Sequence, residues 1–437
     1  MNAIRAGAAS VDITPVDSQF LYGYPHVRRY STGVHDPLFA SALYLADGDS
    51  DLLFVANDII FVDKALVQRA RRRITERTGV PGERTMITAT HTHSGPITAF
   101  YVSNEADPVV PRPDPKYVQR IEDGIVEAAV QAVAAARPAA IGLSCADAAG
   151  VGTNRRDPAG PADPEVPVLV ARAIDTHETI AAMFVCSMHP TVLHEDSTLI
   201  SGDFPALARR VLQRDVFGDC PVLCHTGPSG NQSPRHVVRG NTFNEAERLG
   251  AILAQAIARS IERLSYRSDI ALRCVSRGVQ LPMRTFDAPD VAQTRLDHAK
   301  ARLEHLRTSG APRTEVRTAE CDWFGAEETL VLAQAATSGC LAAAAEACLP
   351  AEVQVFHVGP WCFVGWQGEC FVEFALQVKA RCPNTYVISL ANGELQGYLV
   401  TAEAVMEGGY EASNALFASP TSGDLFVQTT LDLLRDQ

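Results

Sequence analysis

Hydrophobic and polar positions follow two periods along this chain. Runs of β-branched and small residues predict strands at 5–14, 38–45, 52–56, 84–90, 139–145, 168–174, 180–187, 221–225, 353–358, 361–366 and 385–391. Helical spacing predicts 63–78, through Leu66, Ala70 and Ile74 to a stop at Gly79, and then 117–136, 207–217, 244–264 and 371–380. The turn-like Asp47-Gly-Asp-Ser-Asp51 joins 38–45 to 52–56 as a hairpin. From about 288 to 349 the residues shift to Ala, Leu, Arg and Glu with helical spacing at Leu296, Ala299, Leu303 and Leu306, broken at Gly310-Ala-Pro312 and resumed over 327–345. This reads as a helical hairpin inserted between strands, a buttress in preference to a lid. The segment 391–417 reads as a Gly-rich loop with a helical piece. With no internal repeat and no Pro/Ser linker, the pattern predicts one large α/β domain over 1–437, with mixed sheets flanked by helices.

Composition narrows the function classes. Of 437 residues, 46% are hydrophobic and 20% charged, an ordinary globular balance. The net charge of −13, with no basic run longer than Arg69-Ala-Arg-Arg-Arg73, lacks the footprint of a nucleic-acid binder. That run reads as a solvated helix face. No stretch reaches the ~18 uninterrupted apolar residues of a membrane span, and residues 1–10 lack the apolar centre of a signal peptide. A cytoplasmic protein without an integral membrane segment is expected. The 11 cysteines show no CxxC clustering, which favours reduced, mostly buried thiols over disulfides or a zinc finger.

Candidate chemistry gathers where strands end. In Ile87-Thr-Ala-Thr-His-Thr-His-Ser-Gly-Pro96 a strand runs into His91 and His93, and Gly95-Pro96 stops it. If extended geometry continues, two positions apart means the same face, so both imidazoles point one way. Neutral imidazole is both the commonest metal ligand and a base near neutral pH. His189 ends the strand 180–187, Glu369 follows 361–366, and Tyr398 follows 385–391. Two histidines with a carboxylate suffice for a catalytic zinc, which takes three protein ligands and leaves a position for water. Taken singly, His189 also reads as a turn histidine before Pro190, Glu369 as a first-turn helix acid, and Tyr398 as a half-buried aromatic.

The ordered motifs resolve the ambiguity by resemblance. Thr90-His-Thr-His-Ser-Gly-Pro96, Asn154-Arg155, His189-Pro-Thr191 with Ser201-Gly-Asp203, Gly230-Asn-Gln-Ser-Pro234, Gly368-Glu369, Leu390-Ala-Asn392 with Gly397-Tyr398, and Tyr410-Glu411 resemble the motif series of the neutral/alkaline non-lysosomal ceramidase family. The similarity covers nearly the whole chain. In that family a zinc ion activates water to hydrolyse the amide of an N-acyl sphingosine. Position by position, the resemblance implies one Zn2+ per chain on His91, His189, Glu369 and Tyr398, with His93, Arg155, Ser233 and Tyr410 lining the reacting centre. The chemistry agrees: a metal makes hydroxide available near neutral pH, and Arg155, Tyr410 or a protonated His93 can donate to a developing oxyanion. Alternatively His93 passes a proton to the leaving amine. Gly-Asn-Gln-Ser-Pro is not a GxSxG elbow, so Ser233 reads as a positioning residue in preference to a nucleophile.

Three departures from the family pattern shape the expected substrate. Ile97-Thr98 stand where the family usually has glycines, which predicts a bulkier pocket wall; the sequence ends before a C-terminal immunoglobulin-like domain; and no secretion signal is seen. These point to an N-acyl compound smaller or more soluble than membrane ceramide. An esterase or lactonase using the same metal site, a non-catalytic binding protein that keeps the fold, and a partner-binding scaffold are the competing readings.

Overall fold

A computed structural model describes residues 4–435 apart from Pro25 and Ala106. Eight strands form the larger sheet: β1 (Arg5–Asp12), β2 (Phe39–Ala46), β3 (Asp51–Asn57), β4 (Thr85–Ala89), β5 (Arg137–Asp147), β6 (Glu165–Ala173), β7 (Thr179–Cys186) and β8 (Val222–Thr226). Their spatial order is β8-β7-β6-β5-β1-β2-β3-β4. A second sheet takes β9 (Leu272–Val279), β10 (Ala351–Val358), β11 (Trp361–Trp366) and β12 (Thr385–Ile388) in chain order. Both sheets are mixed. The pairs β3/β4, β7/β8 and β11/β12 run parallel, while hairpins such as β2/β3 and β10/β11 run antiparallel.

The two sheets pack face to face, and helices cover their outer faces. In Leu52-Leu-Phe-Val-Ala56 successive side chains go to opposite faces. Leu53 and Val55 join the core under α1 (Lys64–Thr78) and α2 (Pro115–Ala134), whereas Leu52, Phe54 and Ala56 join the core shared with the second sheet. There Phe54 meets Phe356 and Phe363 edge to face at 5.0 and 5.5 Å between ring centroids. Burial on both faces explains why these strands read as nearly continuous apolar runs. Farther along the larger sheet, α3 (Asp203–Leu212) and α4 (Phe243–Ile261) cover β6–β8. The helix α1 shows how local chemistry sets the boundaries: Asp63 accepts from the Leu66 N–H at 2.9 Å, and Gly79 closes the helix at φ 81°.

The insertion contains α5 (Pro289–Thr308), α6 (Arg313–Ser338) and a short α7 (Cys340–Cys348). The expected hairpin is present as α5 and α6, but α6 starts at Arg313, fourteen residues before the predicted resumption at 327. Residues 313–326 carry no clean apolar stripe because one side of the helix faces α5 and another sets Arg317, Thr318, Cys321 and Asp322 along a cavity. After it come α8 (Val372–Arg381), α9 (Ala402–Glu407), α10 (Tyr410–Ser413) and α11 (Ser422–Arg435), of which α8 and α11 cover the second sheet. The last of these lies outside the elements that the sequence pattern predicts. No single helix among the described residues is long and apolar enough to cross a membrane.

Candidate metal centre and cavity

The chain leaves β4, β7, β11 and β12 toward one place. The strand β4 ends at Ala89, so the extended continuation expected through His93 does not occur. His91 instead sits at φ 66°, in the left-handed region that non-glycine residues rarely occupy. Its N–H bonds the Ile59 carbonyl at 2.9 Å, which secures that turn. The turn, not strand alternation, brings the His91 and His93 rings edge to face at 4.9 Å. His189 follows β7 with its N–H on the Gln232 carbonyl at 3.2 Å. Glu369 and Tyr398 are register partners in a short parallel ladder, Glu369–Cys370 with Tyr398–Leu399.

Each imidazole is held by its other nitrogen. Nδ1 of His91 bonds the Ile60 carbonyl at 2.9 Å, Nδ1 of His189 the Ser229 carbonyl at 2.6 Å, and Nδ1 of His93 the Gly23 carbonyl at 3.1 Å. A carbonyl only accepts, so Nδ1 carries the proton in all three rings and each Nε2 presents a bare lone pair. Those lone pairs face one another, with His91 Nε2 at 3.1 Å from His189 Nε2 and 3.3 Å from His93 Nε2. Glu369 Oε2 lies 3.1 Å from both His91 Nε2 and His189 Nε2, yet no hydrogen bond satisfies this buried oxygen. Burial, then the neighbouring imidazoles, push His93 well below its ordinary pKa, and burial, then Arg155, take His189 down to about 4. Burial pushes Glu369 up, but the imidazoles more than offset it and hold the carboxyl well below its usual range. The Nε2 atoms of three imidazoles and the Glu369 carboxylate thus face one spot. Such a donor set fits a cation and is repulsive without one. The cluster of His91, His93 and His189 can hold a metal ion.

Backbone and loop residues that no side-chain motif marks support this arrangement. Gly23 has φ +116°, and a Cβ there would stand 2.4 Å from His93 Nδ1, so only glycine lets the carbonyl reach that ring. Arg29, buried in the same loop, donates to the His93 and His194 carbonyls and lies over the Tyr24 ring at 5.1 Å. The Ser201-Gly-Asp203 motif turns out to be scaffolding. Asp36 accepts from Ser201 Oγ at 2.5 Å and the Gly202 N–H at 2.8 Å, while Asp203 accepts from the Val192 and Leu193 N–H groups at 3.1 and 2.9 Å, fixing the loop after His189.

Residues 4–222, half of the chain, match the family described as neutral/alkaline non-lysosomal ceramidase, N-terminal. The chain belongs to this family. A neutral ceramidase of Mycobacterium tuberculosis is 26% identical over 237 residues, 50% of this chain but only 37% of that protein. The crystal structure of neutral ceramidase from Pseudomonas aeruginosa superposes with a TM-score of 0.76 at 20% identity, covering 100% of this chain and 75% of that one. A ceramidase complexed with C2 matches equally, with a TM-score of 0.76 at 18% identity over 100% of this chain and 76% of its own. At such identities the structural likeness shows the fold.

Two cavities that share Gly23, His93, Tyr398 and Tyr410 lie beside the histidine cluster of this ceramidase-family chain. The inner one touches His91, His93, Glu369, Tyr398 and Tyr410, with Glu328 on its far side. The outer one, about 500 Å3, runs from His93, Tyr398 and Tyr410 past Arg155 and Ser233 to a wall contributed by α6, including Arg317, Cys321 and Phe324. Seven of the eight residues expected from the motif series line these cavities, and the eighth, His189, is buried in the cluster itself. Arg155 donates from Nε to Glu411 at 2.8 Å, its guanidinium lies 5.5 Å from the Tyr398 ring centre, and its buried Nη2 has no hydrogen-bond partner. Ser233 Oγ accepts from the Arg235 N–H at 3.2 Å, and no imidazole hydrogen-bonds it among the described residues. The bulkier wall expected from Ile97-Thr98 is absent: Ile97 packs with Phe20 and Val110, Thr98 bonds the backbone of Phe61, and neither lines a cavity. The insertion, for its part, is neither remote buttress nor detached lid, because α6 is one wall of the outer cavity.

Proposed function

We propose that this chain is a zinc-dependent amidohydrolase that cleaves the linear C–N bond of an N-acyl compound, with one zinc held by His91, His189, Glu369 and Tyr398. The observation that carries this reading is the set of bare Nε2 atoms and the unsatisfied Glu369 oxygen facing one point. Family membership supplies the bond type. A zinc held there supplies Lewis acidity, which brings the ionisation of water toward neutral pH. The chain's own groups complete the reaction. The unpartnered Arg155 Nη2 donates to the carbonyl oxygen as negative charge grows on it, and the Glu411 ion pair fixes its direction. Tyr410, reaching both cavities, is placed to donate beside it. The proposed ligand set leaves the His93 Nε2 over, so that this ring can accept a proton from the attacking water and return it to the departing amine nitrogen. Ser233 holds the turn that carries Arg235.

Ion pairs such as Arg156 with Glu407 and Glu411 line part of the outer cavity, which supports a small substrate over membrane ceramide. Its volume suits a drug-sized molecule. Elemental analysis of the purified protein, with hydrolysis of short and long N-acyl compounds and their matched esters, tests the reading. About one zinc per chain and faster release of amine than of alcohol supports it. Ester cleavage alone points to the esterase alternative, and a protein that takes up no metal and cleaves nothing sinks the proposal.

A further inference from the structure

The cations lining the outer cavity are not equivalent. Arg155 and Arg156 share Glu411, Arg156 also takes Glu407 at 3.0 Å, and Arg317 pairs with Glu320 at 2.6 Å and Glu195 at 3.3 Å. Arg235 has no such partner. Among the described residues its side chain bonds only the Thr318 hydroxyl, at 3.1 Å, across the seam between the core and α6. The acids of the cavity are occupied elsewhere: Glu411 and Glu407 as above, and Asp322 by Arg302 at 2.6 Å, while the exposed Asp157 accepts from the Ala159 N–H. Arg155, Arg235 and Arg317 line this one cavity together with Cys321. One of the three has no carboxylate, and another keeps the unpartnered Nη2.

Ladder geometry ties this cluster to the reacting centre. Arg155 follows Thr153–Asn154, which pairs antiparallel with Gln232–Ser233, and Arg235 follows that strand by two residues. Arg235 thus leaves the ladder at the end opposite to Arg155, and both side chains line the outer cavity with Arg317 and Thr318 of α6.

We propose that the outer cavity selects N-acyl substrates bearing a carboxylate, such as N-acyl amino acids, and that Arg235 is the residue that recognises this anion. The inference rests on the hydrolase reading for the acyl part and goes beyond it by naming the charged group. A guanidinium without an internal carboxylate partner can meet a substrate carboxylate as a forked pair.

The test compares N-octanoylglycine with N-octanoylglycinamide, which differ only in the anion, in hydrolysis by the zinc-loaded full-length enzyme. Binding of their non-hydrolysable ketomethylene isosteres is measured calorimetrically in parallel. The acid is expected to be preferred by about 10- to 100-fold in kcat/KM and in affinity. Arg235→Gln is expected to bring that ratio close to one, and Arg235→Lys to restore part of it. Equal use of acid and carboxamide by the wild type overturns the inference and leaves the hydrolase reading intact, and this holds even if Arg235→Gln fails to fold. A wild-type preference that Arg235→Gln leaves unchanged also overturns it. Binding of the acid isostere that depends on Arg235, with no hydrolysis of either compound, keeps the anion site and removes the hydrolase reading.

Discussion

The inner cluster and the outer cavity are built by opposite means. In the inner cluster His91 and His189 are buried and His93 half-buried, and the orientation of each ring is set by a backbone carbonyl: Ile60 for His91, Ser229 for His189 and Gly23 for His93. In the outer cavity the groups are long, charged side chains whose positions depend on one another, as Arg155 and Arg156 depend on Glu411. Carbonyls of the packed core cannot be exchanged by mutation, whereas ion pairs and an α6 face can. We take the contrast to separate the proposed bond chemistry, centred on the inner region with Arg155 at its border, from choice of substrate in the outer cavity.

The largest effects should come from breaking the inner region. His189→Ala removes one of the convergent lone pairs, so metal content should fall to near zero and activity by roughly a thousandfold or more, while circular dichroism stays native. Retained metal with lost activity would move His189 out of the ligand set. Next comes Arg155→Gln, which deletes the unpartnered Nη2 donor. Its kcat should drop by about a hundredfold, in the range of losing one oxyanion donor, with the metal still bound. If the metal leaves too, the separation of inner from outer region fails at its border.

The same contrast decides how much was legible in the sequence. Strands such as Leu52–Ala56 were readable because both faces are buried, and α1 because Asp63 and Gly79 punctuate it. The ligand candidates were readable because strands end there and polar residues follow. The pairing of His91 with His93 was expected from strand alternation but arises from a left-handed turn, which no period reveals. Carbonyl supports are backbone atoms and leave no side-chain signature. The α6 wall was hidden because a helix that serves both α5 and a cavity shows no clean stripe. Arg155 and Glu411 were quoted as members of separate motifs, and their ion pair joins residues too far apart in sequence for local patterning to couple.

Intermediate effects sharpen the comparison from within the core. Gly23→Ala places a methyl group 2.4 Å from His93 Nδ1 at a φ of +116°. It should cost roughly 1–3 kcal/mol of stability and lower kcat about tenfold, with metal retained because His93 acts on protons. Loss of metal would make His93 a ligand. A pH experiment reaches the layer behind the cluster. His225, buried between the sheets with Thr88 on Nδ1 at 2.9 Å and an unpartnered Nε2, is taken down by burial to about 3. The unfolded chain therefore binds a proton near pH 6.5 that the folded chain refuses until about pH 3. This contribution to stability is complete above pH 6.5 and is lost as pH falls from there toward 3, by about 3–5 kcal/mol. Denaturant melts at pH 7 and pH 4 should show a smaller difference for His225→Gln than for the wild type. An equal difference would place the acid sensitivity elsewhere.

The smallest effect is expected at the border itself. Ser233 is buried, lines the outer cavity and carries the one hydroxyl that competes for a nucleophile's role. Its Oγ accepts from the Arg235 N–H, which uses the hydroxyl as an N-cap of the short turn Pro234–His236. A nucleophilic serine needs a base within reach, and none of the three cluster imidazoles hydrogen-bonds it. Removing the hydroxyl should therefore loosen the turn by about 0.5–1.5 kcal/mol and shift activity by less than about tenfold, with metal unchanged. Because Arg235 hangs from that turn, part of the loss should appear as a higher KM for carboxylate-bearing substrates, while kcat changes little. A fall of four orders of magnitude in kcat with full metal occupancy would instead make Ser233 the attacking group, and the inner region would then no longer hold all of the bond chemistry.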